Sequence, residues 1–371
     1  MITTTPPQAG VPAAADDSAA EALAGRLFLA AVDTVELLNV YLGHTHGLYR
    51  RLADNGPVTC SQLAHDADLD RRYLREWLQS QIVAGFVTIV GSDLDTAAFW
   101  LAPGGREVLA DETSPNYLAP LAQCATAAAK AVPALVEAFR TGAGVPYASY
   151  GPEAVSAQAA LNRPAYIHLL ATHWVPAIPA LADLLAGSAR VADIGCGTGW
   201  AAIELARAFP FIHVDGYDSD EASITAARRN AAELGLTGRV VFEVSDLRES
   251  DAAGPRYDAV LLLECLHDMT YPALVLRTVR RYLAEGAVVI VMDERADENL
   301  VAPSDDPVQR FLAGISPLWC FPHAVSGPVA QPYGAVFRPA HVREVARQAG
   351  FTGVDVLSID HPSWRFYQLH A

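Results

Sequence analysis

From Arg190 onward, short apolar segments alternate with amphipathic ones, and this alternation constrains the fold more than any other feature of the 371-residue chain. The apolar segments are VADIG, HVDGYD, VVFEVSD, AVLLLECL and AVVIVMD, and helical patterns such as AAIELARAF separate the early ones. Strands that alternate with helices in this way predict a parallel sheet with right-handed crossovers. The later segments AHVREVARQAGF, GVDVLSI and WRFYQLH predict one more helix and a closing, hairpin-like pair of strands.

A different pattern precedes the sheet, between Glu21 and Leu109. Thr59 or Ser61 can cap one short helix, and Asp68 or Asp70 can cap a second. The segment FVTIV and the segment AAFWL then have the composition of two short strands. Two helices joined by a short turn and followed by a β hairpin predict a winged helix-turn-helix.

Charge bears on what this winged helix does. The chain has 42 acidic and 26 basic side chains, a net charge of −16, which repels polyphosphate and anionic lipid. Arg71, Arg72 and Arg75 form the basic cluster of the presumptive recognition helix. We therefore expect neither nucleic acid nor membrane as a partner, and we expect the winged helix to mediate a homodimer. A winged-helix DNA-binding regulator is the alternative from another functional class.

Cysteine usage and the start of the chain indicate a compartment. The five cysteines are an odd number without a CxxC pair, so neither a disulfide framework nor a zinc ribbon is indicated. The first 18 residues contain no Lys, no Arg and no continuous apolar run, so no secretory signal is expected. These features predict a cytoplasmic protein without a transmembrane segment.

The segment VADIGCGTGW is a glycine-rich turn between a predicted strand and a predicted helix. It places Asp193, Gly195, Gly197 and Gly199 where the backbone can approach a ligand and where a helix N-terminus offers free N–H donors. The spacing is D-x-G-x-G-x-G. It is not the dinucleotide fingerprint G-x-G-x-x-G, because Trp200 occupies the position of the third glycine.

Acidic residues follow the next predicted strands. Asp218 lies at the end of the second strand and can accept hydrogen bonds from both ribose hydroxyls of an adenosyl group. Asp246 ends the third strand, where it can receive an adenine amino group, and Leu247 follows it. Glu264 ends the fourth strand, at the switch point where ligands bind in such sheets.

Together these residues resemble the class I S-adenosylmethionine (SAM) dependent methyltransferases over about residues 188–371. The resemblance implies an α/β, Rossmann-like domain of seven strands with the last one antiparallel, preceded here by a mainly helical winged-helix domain. It also implies SAM as the cofactor, bound by Asp193, Gly195, Gly197, Gly199, Asp218, Asp246, Leu247 and Glu264. The winged helix resembles that of plant-type O-methyltransferases and their actinobacterial relatives, in which it mediates dimerisation and covers the active site.

The expected organisation has four parts. They are a disordered tail over residues 1–18, a winged-helix dimerisation domain over 19–109, a helical connector over 110–185, and the methyltransferase domain over 186–371 with a lid insertion over 296–338.

His267 and Asp268 follow the fourth predicted strand, where they would face the methyl donor. In O-methyltransferases of this type a His in such an HD pair is the general base, and imidazole has a suitable pKa near 6.5. The expected catalytic residues are therefore His267 and Asp268. The alternative is that the pair merely caps the following helix.

His323 lies in the Pro-rich insertion after the fifth strand. A pairing of the HD histidine with a later insertion histidine resembles metal-dependent C-methyltransferases that act on 2-oxo acids in peptide-antibiotic pathways. That resemblance implies a divalent metal, iron or zinc, held by His267 and His323, and methylation at the β-carbon of a 2-oxo acid through a stabilised enolate. Candidates for a substrate-carboxylate arginine are Arg140, Arg163 and Arg310.

Two alternatives stay open beside this interpretation. The protein can be an O-methyltransferase of a phenolic or hydroxylated small molecule with His267 as general base, and His323 can be a solvated loop residue. The apolar residues Phe311, Leu318, Trp319 and Phe321 indicate a hydrophobic or aromatic acceptor in either case.

Overall fold

The computed structural model describes residues 17–248, 256–326 and 332–371. The chain divides into two compact units, Met1–Gly105 and Arg106–Ala371. Most of the predicted tail over residues 1–18 lies outside the described residues, and its last two residues already belong to a helix. Among the described residues, no single helix is long and apolar enough to cross a membrane. One pair, Glu153–Trp174 with Pro179–Ala186, has the length and composition but bends by 99°.

The first unit is mainly helical. Its helices are α1 Asp17–Thr45, α2 Leu48–Asn55, α3 Cys60–Ala67 and α4 Arg71–Val83. Its strands are β1 Val58–Thr59, β2 Val87–Val90 and β3 Ala98–Leu101, and they form an antiparallel sheet in the order β1-β3-β2.

The helix boundaries of this unit follow from side-chain caps. Thr59 Oγ1 accepts a hydrogen bond from the N–H of Gln62 at the start of α3, and Gln62 Oε1 accepts one from the N–H of Thr59. Asp70 accepts the N–H groups of Arg72 and Tyr73 at the start of α4. The predicted helix-turn-helix and hairpin are therefore present.

Along the chain, four helices follow the winged helix and precede the first strand of the larger sheet. They are α5 Gly105–Leu109, α6 Pro120–Thr141, α7 Glu153–Ala165 and α8 Pro179–Ala186. A short 3-10 helix, Tyr147–Tyr150, lies in the Gly- and Pro-rich interruption, and a π-helix, Tyr166–Trp174, continues α7.

The second unit contains a seven-stranded sheet. Its strands are β4 Arg190–Ile194, β5 His213–Asp218, β6 Val240–Val244, β7 Tyr257–Leu263, β8 Leu283–Glu294, β9 Gly353–Val356 and β10 Trp364–His370. The order is β6-β5-β4-β7-β8-β10-β9, and β10 is antiparallel to both of its neighbours. The predicted seven-stranded fold with an antiparallel last strand is confirmed.

Helices cover both faces of this sheet. Of the later helices, α12 Pro307–Ile315 and α13 Cys320–Ala324 pack in a separate apolar cluster with α6. Those on the faces of the sheet include α9 Trp200–Ala208, α10 Glu221–Glu233, α11 Pro272–Arg281 and α14 Pro339–Ala349. The central strand β4 is accordingly buried on both sides: Val191 packs into one apolar core, and Ala192 and Ile194 pack into the other. Continuous apolar strands of this kind are typical of parallel sheets.

The insertion over residues 296–338 contains more regular structure than a structureless lid. Helices α12 and α13 lie within it, and residues 327–331 are outside the described part of the chain. Asp306 caps α12 by accepting the N–H groups of Val308 and Gln309, and Pro307 occupies the first helical turn. These local signals explain the helix, which the sequence analysis did not predict.

Candidate functional site

The glycine-rich turn connects the end of β4 to the start of α9. Gly195, Gly197 and Gly199 have φ values of 68°, 52° and 82°, the left-handed region that favours glycine. A Cβ at Gly195 would lie 2.7 Å from the Cβ of Cys265. At Gly197 a Cβ would meet nothing within 4 Å, so the backbone there borders open space. The turn therefore presents bare backbone to a cavity.

This cavity has a volume of about 520 Å³, within the range of small-molecule sites. It is bordered by the turn, by the carboxyl ends of β5 and β7, and by residues of α7 and α13. It lies at the switch point of the sheet, because β4 has β5 on one side and β7 on the other.

Asp218 is anchored at the edge of this cavity by backbone groups. Its Oδ2 accepts the N–H of Gly197 at 2.9 Å, and its Oδ1 accepts the N–H of Asp220 at 2.9 Å. Burial nevertheless raises the pKa of Asp218. The carboxylate is thus fixed in direction, as a group that receives ligand hydroxyls must be.

Asp246 and Leu247 line the same cavity. Asp246 forms an ion pair with Arg248, in which Nε lies 2.8 Å from Oδ1. The hydrogen bonds from Arg248 lower the pKa of Asp246, so this carboxyl is ionised at neutral pH. Leu247 is buried and packs with the core on one face of the sheet.

Asp193 is placed differently. It is 1% exposed and is not among the described residues that line the cavity. Its Oδ2 has no hydrogen-bond partner in the described part of the chain. Burial, together with the charge of Asp218, raises the pKa of Asp193 to about 7.

Glu264 adopts a left-handed backbone, with φ of 57°, immediately after β7. Its side chain lines the cavity, and both oxygens receive amide donors from α7: Gln158 Nε2 at 3.3 Å and Asn162 Nδ2. Burial raises the pKa of Glu264 to about 7. These two amides were not identified from the sequence, because they lie 106 and 102 residues before Glu264 in the chain.

His267 lies in a 3-10 turn, Leu266–Asp268, after β7 and is 3% exposed. Its Nδ1 donates to Asp293 Oδ1 at 2.6 Å, and its backbone N–H donates to Asp293 Oδ2 at 3.2 Å. Asp293 is fully buried near the end of β8. Sequence reasoning missed Asp293. The available signal was an acidic residue at the end of the apolar strand AVVIVMD, beside the strand that carries His267.

The second ring nitrogen of His267 faces Asp268, whose Oδ1 lies 3.3 Å from Nε2. Asp268 lines the cavity, whereas His267 is not among the described lining residues. Burial alone would lower the pKa of His267, but the carboxylates of Asp268 and Asp293 raise it well above 6.5. The helix-cap alternative is wrong, since α11 begins at Pro272 after Tyr271 without a side-chain cap.

His323 lies in α13 and lines the cavity. Its ring centroid is 5.3 Å from that of Tyr147, and its Nδ1 is buried with no partner in the described part of the chain. Around His267 the potential metal donors are instead Asp268 and Cys320, with ligand atoms within 4.8 Å of one another. His323 is not part of that group of three described residues.

The three candidate arginines lie outside the set of described residues that line the cavity. Arg140 pairs with Glu137 on α6, and Arg310 is exposed on α12. Arg163 stacks over Trp200 at 3.8 Å, with its Nε buried and unpartnered in the described chain. The five cysteines are free thiols.

Known proteins resemble this chain in both units. Residues 186–328 match a family described as a methyltransferase domain, and residues 34–110 match one described as an Rv2258c-like winged HTH domain. The 27-O-demethylrifamycin SV methyltransferase of Amycolatopsis mediterranei (strain S699) is 34% identical over 119 residues, which are 30% of this chain and 43% of that protein. The chain spans less than half the length of the first curated relatives that it matches.

Solved structures match over nearly the whole chain. The mitomycin 7-O-methyltransferase superimposes with a TM-score of 0.66 at 19% identity, over 96% of this chain and 99% of that one. Human N-acetylserotonin methyltransferase in complex with SAM has a TM-score of 0.69 at 15% identity, over 97% and 99%. At these identities the likeness concerns the fold, and it confirms the predicted fold class.

Proposed function

Because the chain has a class I SAM-dependent methyltransferase domain preceded by a winged-helix domain, we propose that it transfers the methyl group of SAM to a hydroxyl oxygen of a small molecule. The observation that carries this proposal is the buried His267–Asp293 pair beside the glycine-rich cavity. Relatives named as O-methyltransferases of secondary metabolism support the choice of oxygen as the acceptor atom.

The residues around the cavity fit the adenosyl cofactor. Gly197 leaves open backbone at the turn, Asp218 presents a fixed carboxylate for ribose hydroxyls, and Asp246 is placed to receive the adenine amino group. Leu247 adds an apolar contact, and Glu264 a carboxylate for the amino group of the methionyl part. When bound, the cofactor supplies an electrophilic methyl on a sulfonium.

Asp193 has a supporting part in this proposal, since it lies buried at the end of β4 just before the turn. Gly195 and Gly199 shape the turn itself.

The proposed chemistry needs a nucleophilic oxygen in line with the methyl group and a destination for its proton. Asp293 fixes the tautomer and the orientation of His267, as a carboxylate does when it receives the Nδ1–H. With the cofactor bound, the acceptor O–H bond would break as the O–CH3 bond forms, and the sulfonium S–CH3 bond would break to leave a neutral thioether. The proton would pass to Nε2 of His267, which lies beside Asp268 at the border of the cavity. His267 is thus the proposed base, and Asp268 the proposed contact with the acceptor.

Metal-assisted methylation of a 2-oxo acid receives no support from the comparisons or from the cavity. An α-keto carboxylate needs a cationic partner, and none of Arg140, Arg163 and Arg310 is among the described lining residues. His267, Asp268 and Cys320 form a donor set of types that zinc accepts. Burial raises the pKa of the Cys320 thiol to about 12.

The test is product analysis with isotopically labelled SAM and a panel of hydroxylated aromatic compounds. Methyl transfer to oxygen in the wild type, and its loss in His267→Ala with SAM binding retained, is the expected result. A methyl found on carbon of a 2-oxo acid would replace this proposal with the metal-assisted one.

For the first unit we propose a homodimer, with cytoplasmic localisation in keeping with the free thiols. On α1, the apolar side chains of Leu23, Leu27 and Phe28 are 65%, 74% and 70% exposed. Exposed apolar side chains grouped in this way are typical of a surface that another protein covers. Light scattering should report a dimer, and Leu27→Glu with Phe28→Glu should give a monomer. Salt-sensitive duplex binding would instead favour the DNA-binding regulator.

A further inference from the structure

The lining of the cavity is unusually rich in carboxylates. Five acidic residues face it among the described residues: Asp218, Asp220, Asp246, Glu264 and Asp268. Against them stands one Lys or Arg in that described lining, Arg248, and it is paired with Asp246. The charge balance of the lining is therefore strongly negative, in keeping with the chain's net charge of −16.

Four of these carboxylates have partners that account for them. Asp218 accepts backbone N–H groups, and Asp220 caps α10 by accepting the N–H of Ser223 at 2.7 Å. Asp246 has Arg248, and Glu264 has the two amides from α7. These groups belong to the cofactor part of the cavity and to its immediate support.

Asp268 differs from the other four. Its side chain is 30% exposed, and its Oδ1 is buried without a hydrogen bond in the described chain. The nearby His267 does not neutralise it, because Asp293 shares the same imidazole. With His267 protonated, the three groups Asp293, His267 and Asp268 sum to one negative charge, and with His267 neutral they sum to two.

The wall beside Asp268 is aromatic. Tyr147 and His323 line the cavity with their rings 5.3 Å apart, and Trp319 lies behind Tyr147 at 6.0 Å. Burial, followed by the charge of Asp268, raises the pKa of Tyr147, so its phenol is neutral. Aromatic walls lower the local dielectric, which strengthens the field of Asp268 on anything placed between them.

From this arrangement we infer that Asp268 makes the acceptor part of the cavity select uncharged aromatic hydroxyl compounds and reject their carboxylated counterparts. The inference rests on the proposed O-methyl transfer and adds the charge class of its acceptor. Repulsion acts on a carboxylate of the acceptor, while a hydroxyl of a neutral acceptor can donate a hydrogen bond to Asp268. Two like charges held close together in such a site lower the affinity by about tenfold or more.

The test compares pairs of compounds, an acid and its methyl ester, that have the same aromatic ring system and the same hydroxyl groups. Suitable probes are 3,4-dihydroxybenzoate and 3-hydroxy-2-naphthoate, each beside its methyl ester. In the wild type we expect kcat/KM for each ester to exceed that for its acid by at least about tenfold. In Asp268→Asn this ester-to-acid ratio should fall by about fivefold or more, because the amide keeps the shape and removes the charge.

Controls separate this result from other causes. Glu285→Gln removes an exposed carboxylate near the start of β8, so it changes the net charge of the chain equally and should leave the ratio unchanged. Where Asp268→Asn transfers too slowly to measure, the ratio of Kd values for ester and acid on the protein saturated with S-adenosylhomocysteine gives the same readout.

The outcomes distinguish the two proposals. Absence of SAM binding would overturn the proposed function. Normal SAM binding with acids methylated or bound as well as esters, or an unchanged ratio in Asp268→Asn, would overturn the charge selection alone. Normal SAM binding with neither member of any pair bound or methylated would overturn it as well.

Discussion

Asp293 holds His267 at two points, receiving the ring Nδ1–H at 2.6 Å and the backbone N–H at 3.2 Å. His267 lies in the turn that follows β7, and Asp293 lies near the end of the neighbouring parallel strand β8, so the pairing of these strands brings the two residues together. Both are almost fully buried. A rigid imidazole of this kind is oriented before any ligand arrives, which is what a positioned base requires.

We expect His267→Ala to lower kcat by about 10²- to 10⁴-fold, the usual contribution of a general base. Asp293→Asn should lower kcat as well, because the imidazole of His267 is then no longer held in one tautomer and one orientation. Single-turnover kinetics measure the methyl-transfer step, and calorimetry with SAM measures cofactor binding separately. His370 pairs with Asp355 at 2.8 Å on the exposed side of β10. His370→Ala is thus a matched control, and an equal loss of activity in it would contradict the assignment.

The rate of transfer should increase with pH through a midpoint above 6.5. Burial disfavours the imidazolium, but Asp268 and Asp293 outweigh it and raise the pKa of His267 well above 6.5. Since the base must be unprotonated, activity is lost as pH falls through that raised pKa. In Asp268→Asn the midpoint should move to lower pH, because one stabilising carboxylate is gone. A pH–rate profile that is already flat at pH 6.5 would be inconsistent with His267 as the base.

Asp193→Asn should stabilise the unliganded protein, and more so at pH 8 than at pH 5. The folded-state pKa of Asp193 is about 7, against 3.8 when unfolded. Between these values the folded protein retains a proton that the unfolded chain has released, so stability falls as pH rises through the window. Asn has no charge to bury, and we expect a gain in Tm of about 2 °C or more at pH 8. Thermal unfolding of both proteins at pH 5 and pH 8 measures the gain in Tm. A gain that is the same at both pH values would show that the buried charge of Asp193 is not its cause.

Asp218→Ala should weaken SAM binding by about 10- to 150-fold, which corresponds to the loss of charge-assisted hydrogen bonds worth about 1.5–3 kcal/mol. Titration calorimetry with SAM and with S-adenosylhomocysteine measures the loss. Glu221→Ala is the control, because it removes an exposed carboxylate three residues after Asp218. This variant should bind both ligands normally. Equal weakening in the two variants would show that net charge, and not the position of Asp218, governs binding.

Exhaustive treatment with a metal chelator should leave methyl transfer unchanged, because the proposed chemistry uses only His267, Asp268 and Asp293. Metal content and activity are measured on the same samples before and after treatment. Activity that disappears on chelation and returns with iron or zinc would favour the 2-oxo acid reaction.

The sequence analysis anticipated elements with strong local or periodic signals. The five strands after Arg190, the terminal pair and the caps at Thr59 and Asp70 all depend on residues close together in the chain. The helix at Pro307 was missed, although Asp306 and Pro307 form a local start signal.

The surroundings of the candidate site depend on contacts between distant segments. Asp293 contacts His267 from the strand next to the one that His267 follows. Asn162 and Gln158 contact Glu264 from a helix about a hundred residues earlier. No spacing rule links such positions, since only the packed sheet brings them together. The approach of Cys320 to the ring of His267 was not predicted for the same reason, since tertiary packing brings α13 to that position.

The position of β10 has a consequence for biosynthesis. Residues 364–370 lie between β8 and β9 and bond to both, so β9 has no partner in the sheet until they are in place. During translation the sheet therefore remains incomplete until His370 has left the ribosome, and the apolar side chains of Phe366 and Leu369 are the last to enter its two cores. A nascent chain stalled before Trp364 would expose the long edge of β8, a surface that chaperones must protect.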